Sequence, residues 1–254
     1  MSDIIRISVV SYLNSKPFIY GLKNGKFNSD VDIQEDIPSV CAEKLLSGKA
    51  DIGLVPVAIL PALNEYKIIS DYCIGANGKV NSVLLLSEVP LQDIKTILLD
   101  YQSRTSVLLA RVLAKKFWNI QPDWMSTSND YEKDISGNTA GVIIGDRALI
   151  LKRNFSYVYD LSEEWKKFTG LPFVFACWVS VRKLDEKFIS EFNTALENGL
   201  RKINEIAKKE KLINLSEETI RKYLIECIDY RLDEKKKTAM NSFLEMISEL
   251  SVPV

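Results

Sequence analysis

The sequence predicts an α/β protein built on open sheets. Short apolar runs of strand length recur through the first 181 residues and alternate with polar or amphipathic segments. Twice a buried run ends in a polar turn that opens a helical pattern, in "IKTILLDYQSRTSVLLARVLAKKFW" and in "TAGVIIGDRALI". From residue 185 onwards apolar residues fall at i, i+3 and i+4 with charged opposite faces, so the tail is helical.

Residues 4–10 (IIRISVV) form the first strand. The apolar run then breaks at Ser11, Tyr12, Asn14, Ser15 and Pro17 before it resumes. Residues 31–35 (VDIQE) form the second strand. "DIPSVCAEKLLSGKADIGLVP" supplies a loop, a short helix and a buried strand over Ile52–Val55. Ser39 stands where an N-cap is expected, and Gly48 follows the amphipathic run CAEKLL. Strands follow at 66–75 and 82–87, parted by the turn residues Ala76-Asn77-Gly78. Strand 95–99 ends in Asp100 and leads to a helix from about Ser103 to Phe117. Strand 140–144 leads through Gly145-Asp146-Arg147 to another helix, and 173–181 is one more buried strand. Helices are expected over 185–210, 216–227 and 233–250. The Lys-rich stretches near 208–211 and 235–237 interleave with Glu and Asp and are expected to be solvated helix faces.

Composition excludes several classes of function. The chain has 254 residues, 46% apolar and 26% charged, with 33 basic and 34 acidic residues for a net charge of −1. No basic field favours nucleic acid or an anionic membrane surface as a partner. No apolar stretch reaches the ~20 residues of a bilayer span, and the N-terminus lacks the features of a secretory signal, so a cytoplasmic protein is expected. The four cysteines, Cys41, Cys73, Cys177 and Cys227, are scattered without a C-x-x-C, and four free buried thiols are expected rather than disulfides or a zinc site. Histidine is absent. Ser–His and Cys–His nucleophile pairs, His metal sites and an imidazole base are thereby excluded.

The polar strand ends share one logic. In open α/β sheets ligands bind beyond the carboxyl ends of the strands. Asp100-Tyr101-Gln102-Ser103-Arg104-Thr105-Ser106 offers helix-start N–H groups and hydroxyl donors, which suits a carboxylate or phosphate, although simple N-capping by Ser103 or Thr105 also accounts for it. Neither G-x-x-x-x-G-K-[ST] nor G-x-G-x-x-G is present, so a nucleotide phosphate has little support. Asp146 and Arg147 could form an internal ion pair, or Asp146 could line a cleft. Tyr12 and Tyr101 could be packing aromatics. Asn14 could satisfy a turn or bind a hydroxy acid through its donor and acceptor.

The successive stretches "VVSYLNSKPFIYGL", "IPSVCAEKLLSGKADIGLVPVAILP", "DYCIGANGKVNSVLLLS", "LDYQSRTSVLLARVLAKKFW", "GVIIGDRAL" and "YDLSEEWKKFTGLPFVFACWVS" resemble the MqnA family, the chorismate dehydratases of the futalosine route to menaquinone. The resemblance runs from about residue 5 to 182. It implies a periplasmic-binding-protein-like (type II) fold of two α/β lobes with a cleft between them. Lobe one would be 1–88 plus 174–254 and lobe two 89–173, with crossings near Val83–Pro90 and Leu171–Val179. It also implies loss of water from chorismate to give 3-[(1-carboxyvinyl)oxy]benzoate, without a cofactor. The polar cluster at 11–15, with Ser11 and Tyr12, would be the lobe-one wall of the cleft, and Asn14 matches the family's cleft motif there. Ser82, Ser103, Arg104, Thr105, Ser106, Gly145 and Asp146 would bind substrate. Asn81 departs from the pattern, where a basic residue is expected before Ser82.

Chorismate carries two carboxylates and a ring hydroxyl. Dehydration removes that hydroxyl and the proton on the neighbouring ether-bearing carbon. The S-R-T-S helix start would hold one carboxylate, and Ser82 with the Ser11–Asn14 backbone the other. Asn14 would orient the substrate as the catalytic amide. Asp146 is one possible base, but the enolpyruvyl carboxylate adjoins the departing proton and is the base this reading favours. Three rivals are weighed. A non-catalytic carboxylate-binding protein of the same fold conflicts with the N-terminus. The sister enzyme acting on a cyclic futalosine derivative looks to a histidine that this chain lacks. An effector-binding domain would be accompanied by a helix-turn-helix.

Overall fold

The computed structural model describes residues 4–151, 154–212 and 215–250. The N-terminal half of the first lobe follows the predicted order. β1 (Ile5–Val10) is buried at every position but Arg6, β2 (Val31–Asp36) lies on one flank and β3 (Ile52–Pro56) on the other, both parallel to β1. Arg6 places its Nε and Nη2 on the Asp51 carboxylate at 3.0 and 2.9 Å, which locks β1 to the chain entering β3. α1 (Lys16–Asn24) follows directly from the polar cluster, with Pro17 in its first turn, where its fixed φ suits a helix start. α2 (Pro38–Leu46) opens at Pro38 with Ile37 in the capping position. Ser39 is therefore inside the helix and is not its N-cap, contrary to expectation.

The sheet is completed by strands far away in sequence. β4 (Lys67–Ala76) and β10 (Phe173–Ser180) pair antiparallel, and β11 (Asp229–Arg231) adds to the outer edge of β4. The resulting six-stranded order is β11-β4-β10-β3-β1-β2. The second sheet holds β5 (Val83–Ser87), β6 (Thr96–Leu99), β7 (Asp123–Ser126), β8 (Thr139–Ile144) and β9 (Tyr157–Asp160) in the order β7-β6-β8-β5-β9. β5 pairs with β8 and β9 of this sheet, so the first crossing falls at residues 77–82, before the 83–90 expected. The return falls between α5 (Leu161–Thr169) and β10. Asp160 anchors both events. Its Oδ2 accepts the Val80 and Asn81 N–H groups at 3.0 and 2.7 Å, while its Oδ1 caps α5 through Ser162 and Glu163 N–H.

The helices differ from expectation at their ends. The helix predicted over 103–117 is α3 (Thr105–Leu113), prolonged by a π-helical turn over Ala114–Trp118. α4 (Asp146–Leu151) follows β8. The predicted 185–210 helix is split into α6 (Glu186–Leu200) and α7 (Ile203–Lys209), and the next into α8 (Glu217–Lys222) and a π-helical turn over Tyr223–Cys227. α9 (Glu234–Ser248) packs on β10 and α3. One residue of its Lys-rich start contradicts the solvated-face reading. Lys236 is fully buried and pairs with Asp229 at 2.6 Å and Asp233 at 3.6 Å, because the helix turns that side inward over β4. All four cysteines are free, but Cys227 is only half-buried. Among the described residues no helix is long and apolar enough to cross a membrane.

α1 and α6 pack backbone to backbone. A Cβ on Gly21 would lie 2.0 Å from the Ala195 carbonyl oxygen, and one on Gly199 would lie 1.8 Å from that of Pro17. Only glycine allows this approach, and it fixes the start of α1 beneath the Ser11–Ser15 cluster.

Candidate active site

The cleft between the two sheets gathers the carboxyl ends of β1, β3 and β8 and the N-terminus of α3. It encloses about 510 Å³ of empty space, part of it open to solvent. Tyr12, Asn14, Ser82, Ser103, Thr105, Ser106 and Gly145 supply the polar lining, and Val10, Ile74, Val83, Ile144 and Phe175 the apolar walls. An apolar cavity with a few convergent polar groups is the usual form of a small-molecule site.

The hydroxyls are arranged as donors. Ser103 Oγ accepts the Ser106 N–H at 3.0 Å and Thr105 Oγ1 accepts the Ala58 N–H at 3.2 Å. Ser82 Oγ accepts from the Tyr223 hydroxyl at 2.8 Å. A hydroxyl whose oxygen already accepts keeps its own proton to donate. The first-turn N–H groups of α3 have no intrahelical acceptor and add to the same field. Ser103 thus caps α3 while its own hydroxyl proton stays available to the cleft. Among the described residues lining the cleft there is no carboxylate, so its electrostatics favour an anion.

Asn14 is buried at the start of the cleft's first wall. Its Oδ1 accepts from the Ser15 hydroxyl at 3.1 Å, which leaves the amide N–H groups as donors, and its backbone carbonyl accepts from the Tyr230 hydroxyl at 2.9 Å. Tyr12 lies across the cleft mouth and donates to Gln102 Oε1 of the second lobe. Burial, then the negative charge of Asp100, pushes the Tyr12 phenol far above its ordinary value, so it remains a donor. Gly145 has φ +65°, and a Cβ there would stand 2.9 Å from the Tyr12 ring. Its N–H donates to the Ser82 carbonyl at 2.8 Å.

Three of the expected site residues lie outside the cavity lining. The Ser11 N–H donates to the Asp36 carbonyl at 2.9 Å and continues the β1–β2 pairing. Arg104 occupies the capping position of α3, partly exposed beside the cleft, and among the described residues its guanidinium has no acidic partner. Asp146 accepts the Leu13 N–H at 3.0 Å and so ties the second lobe to the Asn14 turn. Burial pushes its carboxyl up, against the pull of that N–H and of Lys16. Asp146 and Arg147 do not pair with each other. Arg147 Nη2 meets both oxygens of buried Asp100 at 2.9 and 2.7 Å, its Nη1 donates to Glu132, and its guanidinium stands 5.6 Å over the Tyr101 ring. Tyr101 belongs to that support.

Tyr223 and Tyr230 are the functional candidates that sequence reasoning missed. They come from the helical tail, 141 residues beyond Ser82 in the case of Tyr223. No local signal marks Tyr223 on an apolar helix stripe, or Tyr230 in the three-residue strand β11, as a hydrogen-bond partner. Among the described residues no group of three or more Cys, Asp or Glu side chains converges as a metal site would require.

A sequence profile described as menaquinone biosynthesis matches residues 5–249. The chain is a member of that menaquinone-biosynthesis family. A protein of Campylobacter jejuni named chorismate dehydratase is 29% identical over 253 residues, covering 96% of this chain and 97% of its own. Another of that name from Thermus thermophilus is 25% identical, covering 93% of this chain and 92% of its own. Among solved structures, protein AF1704 from Archaeoglobus fulgidus superimposes with a TM-score of 0.74 at 14% identity over 96% of this chain and 97% of its own. The aliphatic sulphonate binding protein SsuA from Escherichia coli gives 0.60 at 17% identity over 98% and 93%. The fold is that of the periplasmic binding proteins, two α/β lobes with a cleft between them.

Proposed function

We propose that this family member is a chorismate dehydratase, a carbon–oxygen lyase that converts chorismate to 3-[(1-carboxyvinyl)oxy]benzoate and water at the start of the futalosine route. The observation that carries the reading is the donor-rich, carboxylate-free cleft between the lobes. It matches an anionic substrate with an apolar ring, and the full-length relatives of that name narrow the anion to chorismate. Lobe one would comprise 4–81 and 173–250, and lobe two 82–172.

Ser103, Thr105, the α3 N-terminus and Arg104 at the rim hold one carboxylate. Ser82 and the Asn14 amide hold the other and orient the departing hydroxyl. The C–H bond at the ether-bearing carbon breaks, its electrons form the new ring double bond, and the adjacent C–O bond breaks as water leaves. Within the cleft lining no carboxylate or lysine is available to take the proton. The substrate's enolpyruvyl carboxylate takes it and passes it to the departing hydroxyl, which leaves as water and returns the carboxylate to its starting state, while the protein positions and shields the reactants. Asp146 is engaged with Leu13, which supports a positioning role for it. Gain of an aromatic ring drives the reaction.

The test is to incubate the purified protein with chorismate and detect, by mass and ultraviolet absorbance, a product lighter by one water. Binding of chorismate without product would replace this reading with a non-catalytic carboxylate-binding protein.

A further inference from the structure

Beneath the cleft, the C-terminal segment forms a wall that the cavity does not expose. Tyr223 opens the π-helical turn that prolongs α8, and Tyr230 lies in β11. They are 4% and 8% exposed, and neither lines the cavity. Tyr230 donates to the Asn14 carbonyl and Tyr223 to Ser82 Oγ. The two phenols thus hold the Asn14 carbonyl and the Ser82 hydroxyl from beneath the cleft.

We propose that Tyr223 is a positioning residue for the reaction, one that fixes the Ser82 hydroxyl as a donor into the cleft. A serine hydroxyl has one proton and two lone pairs, and its rotor is otherwise free. Tyr223 donates into one lone pair with its oxygen 2.8 Å away, so the serine proton must point elsewhere, and the open side is the cavity. With Oδ1 of Asn14 held by Ser15, the Asn14 amide N–H groups remain as donors on the same wall. Burial pushes the Tyr223 phenol far above its ordinary value, so it keeps its proton at working pH. The π-helical turn is a local widening that re-aims side chains, and such turns are frequent at functional sites.

This inference rests on the functional reading above, but its test separates the two. Wild type, Tyr223→Phe, Ser82→Ala and the double variant are compared for chorismate turnover and for equilibrium chorismate binding, with thermal unfolding to verify folding. The Phe variant keeps the ring and removes only the donor. It is expected to lower kcat/KM and binding by about tenfold or more, the scale of one hydrogen bond to a charged site. In the Ser82→Ala background the same change should cost less than about twofold, because the serine through which Tyr223 acts is gone. Equal losses in both backgrounds, or no loss in the first, would overturn the proposal. If wild type binds chorismate but makes no product, the dehydratase reading falls, and the binding cycle still decides the role of Tyr223. If wild type does not bind it, both fall. Should Tyr223→Phe not fold, unchanged binding in Ser82→Ala alone would overturn the proposal.

Discussion

Gly145→Ala probes the contact that closes the cleft mouth. Gly145 sits at φ +65°, a region in which an L side chain costs about 1–2 kcal/mol. The new Cβ would also stand 2.9 Å from two atoms of the Tyr12 ring, closer than carbon atoms approach without displacement. Moving that ring off its rotamer adds about 1 kcal/mol. The sum, about 2–3 kcal/mol, corresponds to a fall in Tm of about 4–12 °C for a chain of this size. The ring cannot move without disturbing its hydroxyl contact with Gln102, one of the links between the lobes. KM for chorismate should therefore rise by about three- to tenfold. Differential scanning calorimetry and steady-state assays read both effects. An alanine variant with unchanged Tm and unchanged KM would show that the Tyr12 contact does not require glycine at position 145.

Asp146→Asn keeps an acceptor for the Leu13 N–H and should retain turnover within about tenfold. Loss of nearly all turnover with chorismate binding intact would move the base from the substrate to Asp146. Gly199→Ala would drive its Cβ to 1.8 Å from the Pro17 carbonyl oxygen and part α1 from α6, costing about 3 kcal/mol or more, measured by chemical denaturation. Burial works to raise the Asp51 carboxyl, but the hydrogen bonds and charge of Arg6 prevail and hold it below its ordinary value of 3.8. The folded state then binds the proton less readily than the unfolded chain. The stabilisation is complete above that value and is lost as pH falls through the lowered one. Wild type should thus exceed Asp51→Asn in Tm at pH 7, and the gap should close below about pH 3.8.

What the sequence discloses depends on how local the cause is. The buried runs of β3, β5, β8 and β10 are largely apolar and β1 is broken only by Arg6 and Ser8, and the polar cluster at 11–15 and the S-R-T-S helix start are visible because they interrupt or follow such runs. β7 and β9 are four residues each, lie on sheet edges and carry exposed side chains, so no alternation marks them. α1 hides because Pro17 and Gly21 read as breakers, although one suits a first helical turn and the other a close helix crossing. Lys236 carries a charge that sequence assigns to solvent, and only the return of β11 beside β4 supplies its Asp229 partner. The cleft residues were legible by type, but their division was not. Ser103 and Thr105 line the cavity while Arg104 between them stands outside the lining, and Asp146 is turned to Leu13. The Tyr223 to Ser82 contact depends on the whole chain being folded.

The central claim is that chorismate loses water in the cleft beside Asn14. The most direct measurement is turnover of chorismate by wild type and by Asn14→Ala, each followed by mass detection of the product. Wild type is expected to give the dehydrated aromatic product and the variant at least about a hundredfold less, the scale expected when a group that orients the reactants is lost. Equal product from both would place the chemistry away from Asn14, and no product from wild type would contradict the account.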